Sequence, residues 1–256
     1  MKAQYLSHYL SDRDVANFAR QSFASVAENF TEAQNNNLIR FLARGMASGD
    51  WETVINDMLN LRQASQDDPF NERSVPRAKE LATYLRSIPE HWVPFGHPVI
   101  SLRMSAPIPI RVQCFKHKVG FVESEESRRY ISTRPEIYIP EVFRSAAANV
   151  KQGSAGAHPR QENIQAVYRQ QVRMSVEAYE YFIEQGVCAE QARFVLPQGA
   201  TVNWVWTGSL YAYAHAYNLR TDPHAQQEVR DLFEEIGQII EPLYPVSWRA
   251  LTQGDY

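Results

Sequence analysis

A chain of 256 residues with 44% hydrophobic and 21% charged residues is long enough to bury a substantial core and reads as an ordinary soluble globular protein. A net charge of -3 and a pI near 6.2 supply no global attraction toward nucleic acid or an anionic membrane, so any phosphate must be held by a local pocket. Two cysteines, Cys114 and Cys188, leave no room for a disulfide framework or a four-thiolate zinc site; with no signal-peptide pattern and no apolar run approaching a membrane span, the expected location is the cytosol.

In chain order, Val15, Phe18, Ala19 and Phe23 recur at helical spacing over 12–25, with Ser11 as a candidate cap. Thr31 opens a second helix that runs to 42 on a stripe of Leu38, Ile39, Phe41 and Leu42. Over 46–88, Trp51, Val54, Ile55, Met58 and Leu59 predict an amphipathic helix, and Pro76 starts another after a polar turn. His91 and His97 flank a Pro-Phe turn; six residues apart and without a third ligand, they are better read as turn histidines than as a metal site, and no metal is expected.

Residues 99–112 alternate around Ile100, Leu102, Met104, Ala106, Ile108 and Ile110, which predicts strands, with Pro107 and Pro109 marking an edge or irregular crossing. The run ends on Lys116-His117-Lys118, and Glu125, Glu126, Ser127, Arg128 and Arg129 follow within one loop's length. Ammonium groups beside a histidine can hold a diphosphate, and Ser127 with the two arginines can hold a second phosphate; the same letters also suit a solvated charged loop. Further on, 136–140 reads as a short strand, 151–162 as a mobile loop and 163–185 as a long helix, and Trp206-Thr207-Gly208-Ser209-Leu210 opens the next helix. No Gly-x-Gly-x-x-Gly fingerprint occurs, which disfavours a dinucleotide-binding Rossmann fold.

The order Lys116-His117-Lys118, spacer, Glu125-Glu126-Ser127-Arg128-Arg129-Tyr130 resembles the Arg-His-Arg … Glu-x-Ser-x-Arg-Tyr signature of the flavin-dependent thymidylate synthases, with a Val-Gly-Phe opening similar to the phage-associated branch. Two lysines stand where that family has arginines, which keeps the charge and loses the bidentate fork, and the spacer has six residues where five are commonest. Ala19-Arg20-Gln21-Ser22-Phe23, His91-Trp92-Val93-Pro94-Phe95-Gly96-His97, Ala192-Arg193-Phe194-Val195-Leu196-Pro197 and the run from Trp206 through Arg220 to Gln226 resemble further family motifs in the same order. The resemblance implies one α+β domain over 1–256, an antiparallel or mixed sheet flanked by helices, with 46–88 as a helical insertion.

It also implies conversion of dUMP to dTMP through FAD, with methylenetetrahydrofolate and NADPH as cosubstrates, in a homotetramer whose sites are shared between subunits, with no nucleic-acid or membrane partner. Gln113, Lys116, Glu125, Ser127, Arg128, Arg129, Arg193 and Arg220 are the implied nucleotide contacts, and Arg220 polarises the uracil edge. Ser22, His91, Lys116, His117, Lys118, Glu125, Ser209, Tyr211 and His215 are the implied flavin contacts. The alternatives are a related pyrimidine hydroxymethylase, a dCMP-modifying enzyme or an inactive nucleotide-binding relative. Read from the residues alone, Arg220 can also pair with Asp222, Glu126 is solvated, and Cys114 beside Phe115 on an apolar strand is a buried, inert thiol.

Overall fold

The computed structural model describes residues 1–47, 91–148 and 154–254, with the single positions 56 and 60. Apart from isolated positions, the expected helical insertion over 46–88 lies outside the described residues. In chain order the elements begin β1 (Lys2–Tyr9), α1 (Asp12–Gln21), α2 (Glu32–Ala43), α3 (Val93–Gly96), β2 (Val99–Pro107), α4 (Ile108–Cys114) and β3 (Phe121–Glu125). They continue α5 (Gln161–Glu184), α6 (Ala189–Ala192), β4 (Thr201–Ser209), α7 (Leu210–Arg220), α8 (Gln227–Ile240) and α9 (Pro245–Thr252). The chain divides into two compact units, Met1–Ser7, Ser101–Gly208 and Leu219–Gly237 in one and His8–Ile100, Ser209–Asn218 and Gln238–Tyr256 in the other. No helix among the described residues is long and apolar enough to cross a membrane.

The first unit is built on a four-stranded sheet of order β1-β2-β4-β3, as the α+β expectation required. β3 runs antiparallel to β4, with Phe121 opposite Gly208 and Glu125 opposite Trp204. Because side chains alternate along a strand, β2 buries Leu102, Met104 and Ala106 while β4 buries Val202, Trp204 and Trp206. Trp206 stacks on Phe121 with ring centroids 4.1 Å apart and meets Phe233 of α8 edge-on at 6.1 Å. On the other face Ser101 and Thr207 share a hydroxyl hydrogen bond of 2.8 Å, which fixes the β2–β4 register where no apolar pair does.

Four expectations change. The predicted strand over 99–112 stops at Pro107, and Ile108–Cys114 is helical. Pro107 is the N-cap and Pro109 sits in the first turn, where a missing N–H costs nothing and a fixed φ suits the helix; Ile110 and Cys114, four apart, are the buried pair. The stretch 136–140 is not a strand but a single bridge between Ile137 and Ala200. Trp206 to Ser209 belong to β4, so α7 begins only at Leu210. Finally, α1 ends at Gln21 rather than Ser25.

In the second unit the local signals hold. Asp14 accepts from both the N–H and the hydroxyl of Ser11 at 2.9 and 2.7 Å, opening α1, and Thr31 with Gln34 forms a capping box at α2. Ile39 and Leu42 of α2 and Trp248 and Leu251 of α9 are buried on helices that pack together. Asp12 ties α1 to α9: its two carboxylate oxygens accept from the N–H groups of Val246 and Ser247 at 2.7 and 3.0 Å, satisfying donors that a helix start leaves unpaired. Asp12→Ala is therefore expected to lower the unfolding free energy by about 2 kcal/mol in urea titrations, with Asp12→Asn costing less because one acceptor survives.

Candidate active site

The basic triplet stands at the C-terminus of a helix, not at the end of a strand. The Phe115 N–H closes α4 on the Arg111 carbonyl, the chain turns through Lys116, His117 and Lys118, and Gly120 at φ 78 redirects it into β3. Most of the six-residue spacer is thus strand, entered through a turn at which Gly120 permits a left-handed backbone. Lys116 is exposed; Lys118 donates to Glu123 and lies over the Phe115 ring at 5.2 Å. Cations at a helix C-terminus also complement its negative end.

Arg220, the last residue of α7, reaches this turn. Its Nε donates to His117 Nε2 at 2.8 Å and one terminal nitrogen to the Gln113 carbonyl at 3.2 Å. A guanidinium stays protonated, so His117 Nε2 must supply a lone pair and carries no proton. The alternative partner is taken elsewhere: Asp222 accepts from the N–H and ring of His224, which lowers its carboxyl below the usual range. Two of Arg220's five donors are spent on positioning, and the rest are available to the adjoining cleft.

That cleft, of about 650 Å³, is lined by Gln113, Arg144, Arg220, His224, Gln226 and Arg230, among others. A chain of hydrogen bonds crosses it. Gln113 Nε2 donates to Gln226 Oε1 at 2.7 Å, Gln226 Nε2 to Glu228 Oε2 at 2.9 Å, and Arg144 to both Glu228 oxygens at 2.8 and 2.7 Å, while the Arg144 Nε holds Ser154. Burial acts to raise the Glu228 carboxyl, but the bonds from Arg144 and Gln226 outweigh it and leave it lowered. Gln226 stood in the sequence only as the end of a family-like run, and Arg144 and Glu228 carried no signal there; they lie 84 positions apart, and only the fold pairs them.

A second cleft, of about 450 Å³, gathers Arg111, Glu125, Ser127, Arg128, Arg193 and Phe194 at the end of β3. Glu125 closes the strand and faces Arg111, Nε to Oε2 3.3 Å; burial raises its carboxyl despite that arginine. Ser127 begins a tight turn, with the Tyr130 N–H on its carbonyl at 3.0 Å and the Arg129 N–H on its hydroxyl at 3.3 Å. Glu126, expected to be solvated, instead prolongs the β3–β4 pairing: its N–H donates to the Asn203 carbonyl and its carboxylate accepts from the Asn203 N–H. Arg193 is fastened to the Glu190 carbonyl at 3.2 Å, and Arg129 stands exposed 3.5 Å from Glu190. Six of the eight predicted nucleotide contacts thus fall into two groups, Gln113 and Arg220 at one cleft and Glu125, Ser127, Arg128 and Arg193 at the other, while Lys116 and Arg129 line neither.

The second unit holds the remaining predicted flavin contacts. Ser22 caps the C-terminus of α1 and is exposed. Beside it in the motif, Arg20 bonds Asn35 at 2.9 Å and lies 3.4 Å over the Phe30 ring, which gives that arginine a packing role. Ser209 ends β4 and caps α7, its hydroxyl accepting from the Ala212 N–H at 3.2 Å. Tyr211 and His215, one turn apart, lie nearly parallel, and Trp92, half exposed, continues the series with its ring 5.5 Å from Tyr211. His91 is exposed, while His97 stacks on Phe18 at 4.3 Å, the packed turn histidine that the sequence suggested. Exposed aromatic faces of this kind can stack on a flat ring system. No group of three or more possible metal ligands occurs among the described residues.

Cys114 is fully buried, on α4 rather than on a strand, and burial pushes its thiol up to about 12. A buried thiol held protonated in this way is a poor nucleophile without a base beside it.

The fold and its clefts define an α+β protein with guanidinium-lined hollows at helix and strand ends, suited to an anionic ligand. The family model described as "Thymidylate synthase complementing protein" matches residues 5–246, and the chain belongs to this family. The flavin-dependent thymidylate synthase of Thermus thermophilus is 34% identical over 163 residues, which take in 64% of this chain and 60% of that relative. The enzyme of the same name from Kosmotoga olearia is 29% identical over 79% of this chain and 89% of its own length. A solved structure of the UMP/dUMP methylase PolB from Streptomyces cacaoi bound with 5-Br dUMP superposes with a TM-score of 0.73, covering 97% of this chain and 93% of PolB at 20% identity, and shares the fold.

Two outcomes are expected. In native protein a thiol reagent should modify exposed Cys188 quickly and Cys114 only after denaturation. Because the folded-state carboxyl of Glu228 is lowered, its contribution to stability is full above the ordinary value of 4.5 and is lost as pH falls through the lowered one. On acidification below that ordinary value, the denaturation midpoint of wild type should drop more steeply than that of Glu228→Gln.

Proposed function

We propose that this chain is a flavin-dependent thymidylate synthase that converts dUMP to dTMP with FAD, methylenetetrahydrofolate as carbon donor and NADPH as reductant. The observation that carries the reading is Arg220, held by His117 and the Gln113 carbonyl at the mouth of a cleft that Gln113 also lines. Family membership and relatives at about 30% identity support it.

In this reading the pyrimidine lies against Arg220, whose remaining donors face the imide edge. A fixed, permanently charged group stabilises negative charge on that edge without reorganising, which makes the ring carbon more nucleophilic. His117 keeps its Nε2 lone pair on Arg220 and so holds the guanidinium in one orientation. Ser127, Arg128 and Arg193 hold the phosphate, and Glu125, kept beside Arg111, orients the sugar side. Bound flavin supplies the reducing equivalent, so no thiol need add to the ring, in keeping with the burial of Cys114. Lys116 and Lys118 would hold a cofactor's diphosphate, and Tyr211 and His215, with Trp92 beside Tyr211, would meet the flat ring of a flavin bound by a neighbouring subunit. The sites are shared between subunits of a homotetramer, with Ser209, Tyr211 and His215 reaching a neighbour's flavin, so an isolated subunit is inactive.

The visible spectrum of the purified protein with FAD tests the reading: flavin bands should survive gel filtration and shift on adding dUMP. Arg220→Ala should reduce dTMP formation by at least about 10³-fold while flavin remains bound. Undiminished turnover in that variant would remove Arg220 from the chemistry, and the absence of any flavin binding would overturn the assignment.

A further inference from the structure

Side-chain amides can be turned either way round, and which end faces a ligand decides what they recognise. In the first cleft one group settles the matter for two glutamines. Glu228 is buried at the start of α8, bonded by Arg144 through both oxygens, and ionised; a carboxylate only accepts. The end of Gln226 that faces Glu228 must then be its NH₂, at 2.9 Å. Its oxygen is left for Gln113, at 2.7 Å, so the end of Gln113 that meets it must also be the NH₂. Oε1 is what Gln113 has left to accept with, beside the unspent donors of Arg220, which is tethered to the Gln113 backbone.

We propose that Glu228 is a positioning residue: acting through Gln226, it sets the Gln113 amide so that the cleft offers an acceptor next to the Arg220 donors, a pairing that selects the N–H and flanking carbonyl of a pyrimidine imide. The ligand class rests on the function proposed above; the relay itself does not. Arg144 neutralises Glu228 and keeps it in place, and Ser154 steadies Arg144 in turn. Glu228 thereby gains a role although it is buried and does not line the cleft.

Glu228→Gln inverts the relay. With its oxygen kept on Arg144, the new amide offers N–H to Gln226, which turns over, and Gln113 turns in consequence. Replacing exposed Gln226 by Glu in the same protein restores an acceptor-only group facing Gln113 and turns it back. The expected result is a roughly tenfold weaker dUMP affinity in Glu228→Gln, with flavin binding unchanged, and recovery of most of the loss in the Glu228→Gln/Gln226→Glu double variant. Side-chain amide resonances of Gln113 and Gln226 in nucleotide-free protein supply the second readout: both should move in Glu228→Gln, and that of Gln113 should return in the double variant.

An unmoved Gln113 resonance, or a double variant that binds no better than the single one, overturns the relay. If wild type binds no dUMP, the ligand class falls with the proposed function, while the amide resonances still decide the relay. Should Glu228→Gln not fold, Gln226→Leu cuts the relay at its exposed link and is expected to move the Gln113 resonance and weaken dUMP binding alike.

Discussion

The tether between Arg220 and the turn after α4 is the constraint on which the first cleft depends. Arg220 Nε on His117 Nε2 joins the last residue of α7 to the centre of the basic triplet, and the bond to the Gln113 carbonyl joins it to the last turn of α4. Both acceptors are neutral, so the guanidinium keeps its full charge for a ligand, whereas a carboxylate partner would have cancelled it. Along the chain β2 leads directly into α4, and β4 leads into α7, whose last residue is Arg220.

A second constraint is the burial of Glu228 against Arg144. Buried ion pairs contribute little net stability, because desolvation offsets most of the attraction, and their best-attested use is to specify an arrangement. Here the arrangement is a line of hydrogen bonds through Gln226 to Gln113, each link fixed by the inability of the carboxylate to donate. Arg111 and Glu125 play the corresponding part at the second cleft, where the partly exposed pair brings the end of β3 to the last turn of α4.

The six-residue spacer and the two lysines mark this chain off from the commonest family pattern, and the structure accommodates both locally. Gly120 makes a left-handed turn just before β3 pairs with β4. Lys118 is drawn to Glu123 and the Phe115 ring, and both lysines of the triplet stay exposed. Lysine is an adaptable point charge, so either residue can follow a diphosphate without the planar alignment that arginine imposes.

What the sequence determined by itself is what depends on near neighbours along the chain. Ser11 with Asp14, Thr31 with Gln34 and the long helix ending near Glu184 were legible because caps and helical periodicity act over three or four residues. The order of motifs likewise carried the family. Ile108 and Ile110, by contrast, alternate as strand residues do, and only the sheet's end after Pro107 turned them into α4. The tertiary structure alone decided that Arg220 meets His117 rather than Asp222, that Glu126 lengthens a ladder, and that Arg144 closes on Glu228. Each of the first and last contacts joins residues more than eighty positions apart, and hydrogen-bond donors carry no mark of which distant acceptor the fold will bring to them.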